Sequence, residues 1–358
     1  MTLLLGIDYG GTSSKFLLTA TESPATAPPV ATESPAPVPS VAADQAPEPD
    51  GVPAGAGLRV VRSGRVATPR SLAALATEVR AFLGDDRPDA VGTTVAGVLD
   101  QATGTVLTSA NLPWLTGTNP AAALSAALGI PAVAVHDGNA AATAEAVLGA
   151  GRGHHDLFVL ALGTGIAGAH IVGGELRRGA HGAAGEIGHT GPGTGRLCSC
   201  GRHGCLESSI GGAQLAARWS ESRSPAGSSD GTRISNPAGS PPHDATDSPA
   251  GSPAGSPSGG ARAVVEAAER GDPAAVTLLD EATTALSHGL LNVIALVDPG
   301  LIVVGGGLSE ARRWIVDPAV AKVSRNATFH HVPPIVPAAL GVWAGAWGAT
   351  LAARDTLG

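Results

Sequence analysis

The chain has 358 residues, enough for two domains of ordinary size, and 43% of them are hydrophobic, enough to build substantial cores. Its formal net charge is −8 and no block of Lys or Arg stands out, which argues against nucleic acid as the main partner because that binding rests on clustered cations. No stretch approaches the roughly 20 apolar residues that cross a bilayer, and no basic segment opens the chain, so neither membrane insertion nor secretion is expected.

The apolar periodicity predicts an α/β chain with two strand–turn–strand openings, one in each half. In chain order we predict strands over 3–8, 15–19, 58–61, 90–95, 157–162, 168–172 and 301–304, with a further short strand just before Asp137. We predict helices over 71–83, 121–128, 140–148, 262–270, 273–296 and 342–353. Ser71 is suited to cap the first helix, and Gly129 to end the second.

Two segments, residues 20–57 and 221–260, differ from the rest of the chain in composition. The first is dense in Pro, Ala, Ser and Thr, and the second repeats the unit Ser-Pro-Ala-Gly-Ser. Such composition cannot bury enough apolar surface to offset the entropy of the chain. We therefore interpret both segments as disordered surface inserts, with a docking motif as the alternative.

Two glycine turns carry residues suited to phosphate. In the first, Asp8-Tyr9-Gly10-Gly11-Thr12, the glycines let an anion approach the backbone, Thr12 can donate a hydroxyl, and Asp8 can hold Mg²⁺ or its waters. A plain glycine-rich hairpin explains that turn equally well. The second turn, 163–168, matches the dinucleotide fingerprint as text, but the chain continues as a strand where that fingerprint requires a helix. The pair fits a nucleotide held between two domains.

All 3 cysteines lie between Cys198 and Cys205. An odd, tight cluster suits a metal site in a reducing compartment better than a disulfide framework, so a cytoplasmic location is predicted. Three thiols and the preceding His189 satisfy tetrahedral Zn²⁺ in a closed, structural site. The sequence leaves His203 open as the alternative fourth ligand.

Three carboxylates stand near these motifs. Glu186 and Glu207 flank the cysteine cluster and could accept hydrogen bonds from sugar hydroxyls, although most Glu residues are solvated surface. Asp137 follows a short apolar strand, where a carboxylate can take the proton of a hydroxyl that receives a phosphoryl group. Helix capping by Asp137 or Asn139 is the alternative.

Together these residues resemble the ROK family of repressors, open reading frames and sugar kinases, within the actin-like ATPase superfamily. The resemblance covers nearly the whole chain apart from the two inserts. Its most specific part is Gly185-Glu186-Ile187-Gly188-His189 followed by Cys198-x-Cys200-Gly201-x-x-Gly204-Cys205-Leu206-Glu207. The family's order also holds for Asp8-x-Gly10-Gly11-Thr12, Asn111-Leu112-Pro113-Trp114, Asp137-x-Asn139 and Gly163-Thr164-Gly165-Ile166.

The resemblance implies a glucokinase-like enzyme and a role for each matching residue. Asp137 is implied as the general base on the accepting sugar hydroxyl. His189 is implied to hold the sugar and, through its other ring nitrogen, a structural Zn²⁺ shared with Cys198, Cys200 and Cys205. The remaining sugar ligands implied are Asn111, Glu186 and Glu207. The residues implied at ATP are Asp8, Gly10, Gly11, Thr12, Thr164, Gly165, Gly306 and Gly307.

Three departures from the family pattern accompany the resemblance. His136 stands where members usually carry Asn, the segment Thr94-Val95-Ala96-Gly97 lacks the usual proline, and Ser13 stands where a basic residue commonly follows the first Gly-Gly-Thr. None of them removes a residue implied in catalysis.

The resemblance implies two actin-like, ribonuclease H-like ATPase domains that flank an active-site cleft. We expect the N-terminal domain to span 1–112 and to be completed by 340–358, and the C-terminal domain to span 113–339. A homodimer is expected from the resemblance alone.

The predicted activity is ATP-dependent phosphorylation of a hexose, glucose to glucose 6-phosphate, as in glycolysis. The sequence leaves fructose, mannose or an N-acetylhexosamine open as acceptor, and polyphosphate as donor. A non-catalytic, sugar-sensing regulator is the alternative from another class, but family repressors carry a helix-turn-helix ahead of the first strand, which begins here at Leu3. An NAD-dependent oxidoreductase is disfavoured by the strand that follows the second glycine turn.

Overall fold

Helices and strands alternate through the part of the chain that the computed structural model describes, residues 1–11, 13–21, 57–100, 102–109, 112–191, 195–223 and 260–358. The strands are β1 (Leu3–Tyr9), β2 (Ser13–Thr21), β3 (Leu58–Ala67), β4 (Ala90–Val95), β5 (Val98–Leu99), β6 (Val106–Thr108), β7 (Ala132–His136), β8 (Leu157–Leu162), β9 (Ile166–Val172), β10 (Glu175–Arg177), β11 (Ile302–Gly305) and β12 (Ile335–Pro337). The α-helices are α1 (Leu72–Leu83), α2 (Pro120–Leu128), α3 (Asp137–Val147), α4 (Leu206–Ile210), α5 (Gly212–Arg223), α6 (Gly260–Glu269), α7 (Pro273–Val297), α8 (Val316–Asn326) and α9 (Ala344–Asp355). None of these described helices is both long and apolar enough to cross a bilayer.

The strands form two five-stranded sheets with the same internal plan. The first has the order β3-β2-β1-β4-β7 and the second the order β10-β9-β8-β11-β12, while β5 and β6 pair separately. In each large sheet the first three strands of the chain are antiparallel, and the next two join the other edge in parallel. The two halves of the chain therefore share one topology, as the two strand–turn–strand openings predict.

Each large sheet is covered by helices on both faces. The strand β4 is buried along its whole length, and β11 likewise. Strands buried on both faces read as continuous apolar runs and need helices on either side. On the second sheet, alternate residues of β8 pack against α7 on one face and against α3 on the other. On the first sheet, α1 and α2 cover one face and α9 covers the other.

Helices α3 and α9 pack against each other between the two sheets. Glycine makes this close approach feasible, because a Cβ built at Gly348 of α9 falls on the carbonyl oxygen of Ala140 in α3. The Glu145 carboxylate of α3 is 1% exposed and accepts hydrogen bonds from the backbone N–H groups of Ala339 and Leu340, at 3.0 and 2.7 Å. It also accepts one from Ala150 N at 3.0 Å. The buried Glu145 carboxylate therefore binds both the segment after α3, which leads to the second sheet, and the segment before α9, which returns to the first sheet.

Most predicted elements are confirmed, and several bounds differ. Ser71 caps α1 by accepting a hydrogen bond from Ala74 N, and Gly129 ends α2 in the left-handed conformation. The predicted inserts overlap regular structure at their edges, since β2 continues to Thr21 and α5 to Arg223, while residues 22–56 and 224–259 lie outside the described part. Hairpin pairing and helix packing extend these elements past the point where the composition changes.

Sheet membership also bears on the predicted division into domains. Strand β7 belongs to the first sheet, beside β4, although a boundary after residue 112 assigns it to the second domain. The final helix α9 packs on the first sheet, in keeping with the predicted return of the chain to the N-terminal half. We therefore propose that the N-terminal domain takes in 113–136 as well, and the division itself stays a prediction.

Candidate functional site

The parallel strands of the first sheet end together at one edge, and three polar side chains meet there. Asp8 lies near the end of β1, Thr94 near the end of β4, and Asp137 directly after β7. The carboxyl ends of parallel strands are the usual position for ligand sites in open α/β sheets. The Asp8 Oδ1 atom accepts a hydrogen bond from Thr94 Oγ1 at 3.0 Å, and Thr94 Oγ1 in turn accepts one from Tyr9 N at 2.9 Å.

Asp8 is also paired with a cation. Lys15, its direct partner across the β1–β2 hairpin, places Nζ 2.6 Å from Asp8 Oδ2. Both side chains are largely buried, with exposed fractions of 11% for Lys15 and 15% for Asp8. Among the described residues, each oxygen of the Asp8 carboxylate therefore has a hydrogen-bond partner.

Asp137 combines access with partial desolvation. Its side chain keeps 44% of its surface exposed although it stands where α3 enters the space between the sheets. Burial raises the pKa of Asp137 above the ordinary carboxyl value, and the charge of Asp8 adds to that rise, whereas His136 and the Gly138 N–H oppose it. The His136 Nε2 atom lies 3.4 Å from Asp137 Oδ1, and Gly138 N donates to Oδ1 at 2.8 Å. Asp137 is the first residue of α3 and not its N-cap, so the capping alternative does not account for it.

The second sheet presents its own glycine turn at the corresponding edge. Thr164 is exposed at the tip of the β8–β9 turn, which Gly163 N closes by donating to Gly165 O at 2.9 Å. Gly306 follows β11 with φ of 87°, and a Cβ built there falls on the Leu162 carbonyl oxygen at the end of β8. Only glycine suits that combination of backbone angle and contact. Gly307 begins a 3₁₀ turn beside it.

The first three residues of β9 bring the remaining candidates together. Ile166 N donates to Glu207 Oε2 at 2.9 Å. A Cβ built at Gly138, next to Asp137, lies 3.5 Å from the Ala167 Cβ. The backbone of Gly168 touches that of Gly185, directly before Glu186, since a Cβ built on either glycine approaches the other's carbonyl oxygen. The strand that leaves the β8–β9 glycine turn therefore contacts three segments that carry candidate sugar ligands or the candidate base.

Glu207 and Glu186 differ in how they are held. Glu207 lies in the first turn of α4, and its Oε1 accepts a hydrogen bond from Ser199 Oγ at 3.1 Å. The Glu207 carboxylate is therefore held both by Ile166, directly after the glycine turn, and by Ser199, within the cysteine cluster. Glu186 is exposed and precedes the 3₁₀ turn 187–189 without capping it.

One group of metal-ligand type is present among the described residues. The ligand atoms of His189, Cys198, Cys200 and Cys205 all lie within 4.8 Å of one another. His189 Nδ1 is 3.6 Å from Cys198 Sγ, and Cys200 Sγ is 3.6 Å from Cys205 Sγ. With metal–sulfur bonds of about 2.3 Å, a tetrahedral site needs ligand separations of roughly 3.7 Å. The four donor atoms and their separations therefore fit a cation with tetrahedral coordination.

The electrostatics of the cluster favour the protonated form of one thiol. Burial, together with the neighbouring cysteines Cys200 and Cys198, raises the pKa of the Cys205 thiol to about 12. A divalent cation reverses that tendency because it binds thiolates. His203, the alternative fourth ligand, is not part of the group, and its Nδ1 lies 3.0 Å from the Gly195 carbonyl oxygen instead. His189 uses Nδ1 toward the thiols, which leaves Nε2 for a second contact.

Two predicted site residues, Thr12 and Asn111, lie outside the described residues. The prediction also missed three side chains that hold the site, namely Lys15, Thr94 and Ser199. Lys15 gave a signal in the sequence, since a cation in an otherwise apolar strand is unusual. Thr94 and Ser199 gave none, because single hydroxyls are common and only the fold brings them to Asp8 and Glu207.

With the geometry in place, comparison with known proteins identifies the family. The model of the ROK family matches residues 70–356. The chain belongs to the ROK family. It is 32% identical over 272 residues to a glucokinase of Streptomyces coelicolor, across 74% of this chain and 80% of that protein. It is 29% identical over 272 residues to an N-acetylgalactosamine kinase of a Shewanella species, across 73% of this chain and 77% of that protein.

Solved ROK structures share the fold along almost the entire chain. The crystal structure of a ROK family glucokinase from Streptomyces griseus, in complex with glucose and AMPPNP, has a TM-score of 0.67 and 28% identity, and 99% of each chain is covered. The predicted α/β, actin-like ATPase fold is thereby confirmed.

Proposed function

We propose that this protein is a glucokinase-like sugar kinase that transfers a phosphoryl group from ATP to a hexose, with glucose as the acceptor. The observation that carries the proposal is the convergence at the start of β9, where residues 166–168 contact Glu207, the helix of Asp137 and the segment of Glu186. The similarity to glucokinases along most of the chain supports glucose and ATP as the substrates. The similarity to an N-acetylgalactosamine kinase makes other hexoses the alternatives to test.

Asp137 acts as the general base in this proposal. It takes the proton from the sugar 6-hydroxyl as the oxygen attacks the terminal phosphoryl group in line. Its raised pKa makes it a better proton acceptor than an ordinary carboxylate, and its 44% exposed side chain leaves room for the sugar. Asp8, with Gly10, Gly11, Thr12, Thr164 and Gly165, faces the phosphates, and Gly306 and Gly307 face the nucleoside. Mg²⁺ held at Asp8 would neutralise charge that develops on the phosphates.

The sugar is held by Glu186, Glu207, His189 and Asn111 in the same proposal. Carboxylates accept hydrogen bonds from sugar hydroxyls only where their own positions are fixed, and Glu207 meets that need through Ile166 N and Ser199 Oγ. Zn²⁺ bound by His189 and the three cysteines would supply rigidity, because it fixes the imidazole whose Nε2 meets the sugar. The metal is thus structural and takes no part in the chemical step.

The decisive experiment is a coupled assay over a panel of sugars and donors. We expect glucose with ATP to give the highest kcat/KM, ahead of fructose, mannose, N-acetylhexosamines and polyphosphate. The Asp137→Asn variant should lower kcat by about 10²- to 10⁴-fold, the usual contribution of a general base, with glucose binding still measurable by calorimetry. The exposed Asp85→Asn serves as a matched control with unchanged kinetics. Retained activity in Asp137→Asn would refute the base assignment, and no activity on any sugar would refute the kinase.

A further inference from the structure

The residue directly before Asp137 is a histidine whose imidazole lies beside the candidate base. His136 ends β7, where the parallel register sets it next to Val95 of β4, and its side chain is 28% exposed. A Cβ built at Gly138, in the first turn of α3, lies 3.3 Å from the His136 Cε1 atom and 3.4 Å from Nδ1. The ring is therefore held where β7 passes into α3.

The two oxygens of the Asp137 carboxylate have different surroundings. Oδ1 accepts a hydrogen bond from Gly138 N at 2.8 Å and lies 3.4 Å from His136 Nε2. Oδ2 receives no hydrogen bond or ion pair from another of the described residues. A general base needs a fixed position within reach of the proton that it takes. A carboxylate anchored through Oδ1 leaves Oδ2 to meet the sugar hydroxyl.

The charges around Asp137 give His136 a second effect on the base. Burial raises the pKa of Asp137, and the negative charge of Asp8 on β1 adds to that rise, whereas a positive His136 lowers the pKa. Lys15 of β2 is paired with Asp8 at 2.6 Å, and Glu145, further along α3, binds the backbone at 339–340. Of the two charged side chains that act on Asp137, only His136 favours the ionised form. A base must be ionised before it can take a proton.

We propose that His136 is a positioning residue for the base: its imidazole holds Oδ1 of Asp137 so that Oδ2 faces the sugar hydroxyl, and its positive charge favours the ionised carboxylate. During transfer the hydroxyl proton passes to Oδ2, the sugar oxygen bonds to phosphorus, and the bond from phosphorus to the ADP oxygen breaks. The proton then leaves Asp137 for water, and His136 is unchanged. The inference rests on the proposed kinase function. The competing explanation is that His136 only fills space between β7 and α3.

Titration of the Asp137 carboxyl tests this pair without turnover. In protein labelled with ¹³C at its aspartate side-chain carboxyls, the NMR resonance that disappears in Asp137→Asn belongs to Asp137. His136→Gln keeps a neutral N–H group close to the position of Nε2 and removes the charge. This variant should move the titration midpoint of Asp137 to higher pH by about one unit, because the carboxylate loses an opposite charge at 3.4 Å. An unchanged midpoint overturns the proposal.

The pH dependence of sugar phosphorylation tests the consequence for catalysis. In His136→Gln the acidic limb of kcat/KM should move to higher pH by the same amount as the NMR midpoint, which lowers kcat/KM on that limb about tenfold for each unit. The plateau at higher pH should stay near that of the wild type. His136→Ala also removes the contact with Oδ1, so its plateau kcat should fall about 10- to 100-fold, with the glucose KM changed less. The exposed His288→Gln is the matched control and should keep the wild-type profile.

The two explanations differ in what these variants do. Coincident acidic limbs in the wild type and His136→Gln would overturn the proposal, and so would a wild-type plateau kcat in His136→Ala. Groups that titrate elsewhere, such as His189, are the same in all of these proteins and cancel in the comparison. If the wild type phosphorylates no sugar, the kinase function fails, while the carboxyl titration still decides whether His136 acts on Asp137.

Discussion

The contact between the β8–β9 glycine turn and Glu207 leads to a specific prediction for Gly165→Ala. A Cβ built at Gly165 falls on Glu207 Oε2 and lies 3.1 Å from the carboxylate carbon Cδ. Ordinary carbon–oxygen contacts are about 3.3–3.6 Å, so the carboxylate must move away from the turn. Because Glu207 Oε2 accepts the hydrogen bond from Ile166 N at 2.9 Å, that movement breaks a contact that fixes the Glu207 carboxylate.

The size of the effect follows from the hydrogen bond that is lost. A hydrogen bond to a charged group contributes about 1.5–3 kcal/mol, and each 1.4 kcal/mol is about tenfold in affinity. If the sugar loses the contact with Glu207 that this bond positions, glucose affinity should fall by about 10- to 100-fold. Gly165 is also assigned to the phosphates, so its substitution could change nucleotide binding as well. Calorimetric titration with glucose in the absence of nucleotide therefore measures the effect on glucose affinity alone.

The same turn offers a matched control. A Cβ built at Gly163 meets only the Gly165 carbonyl oxygen, at 3.9 Å, and neither glycine has a positive φ. Gly163→Ala should therefore bind glucose within about threefold of the wild type, well inside a 1.4 kcal/mol change. Equal glucose affinity in Gly165→Ala and the wild type would contradict the idea that the turn positions Glu207. An equal fall in both variants would show a general disturbance of the turn.

Four further predictions concern stability, the metal and pH. Glu145→Gln should lower the free energy of unfolding by about 2–4 kcal/mol in urea titrations, because an amide cannot accept hydrogen bonds from all three backbone N–H groups that the carboxylate binds. An unchanged urea midpoint would contradict the stabilising role of these three hydrogen bonds. Cys205→Ser should lower bound zinc, measured by mass spectrometry, and should weaken glucose binding more than ATP binding; equal zinc content in variant and wild type removes Cys205 from the ligand set. The kcat/KM of the wild type should rise with pH through the raised pKa of Asp137 in the free enzyme, since only the ionised carboxylate accepts a proton; an acidic limb of that profile at the ordinary carboxyl pKa would contradict the raised pKa. The same raised pKa means that Asp137 destabilises the folded protein above that pKa, so Asp137→Asn should be at least as stable as the wild type at neutral pH.

The elements that the sequence predicted well are those with strong local signals. The cap at Ser71 and the end at Gly129 depend on a few neighbouring residues, and both are confirmed. The short strands β10 and β12 went unpredicted because three residues carry little periodicity, and their identity as strands rests on hydrogen bonds to β9 and β11. The same reason explains why the membership of β7 in the first sheet was missed, since pairing with β4 joins segments about 40 residues apart.

For the site, residue type and spacing predicted which chemical parts are present: a glycine turn suited to phosphate in each half, a cysteine–histidine donor set, and carboxylates near both. Residue type and spacing carry that information because a metal or a phosphate requires particular atoms at short range. How the parts meet is visible in the folded chain, which places Lys15 on Asp8, Ser199 and Ile166 on Glu207, and His189 rather than His203 beside the thiols. Those contacts follow from strand register and sheet order, which depend on packing over the whole chain and leave no local pattern.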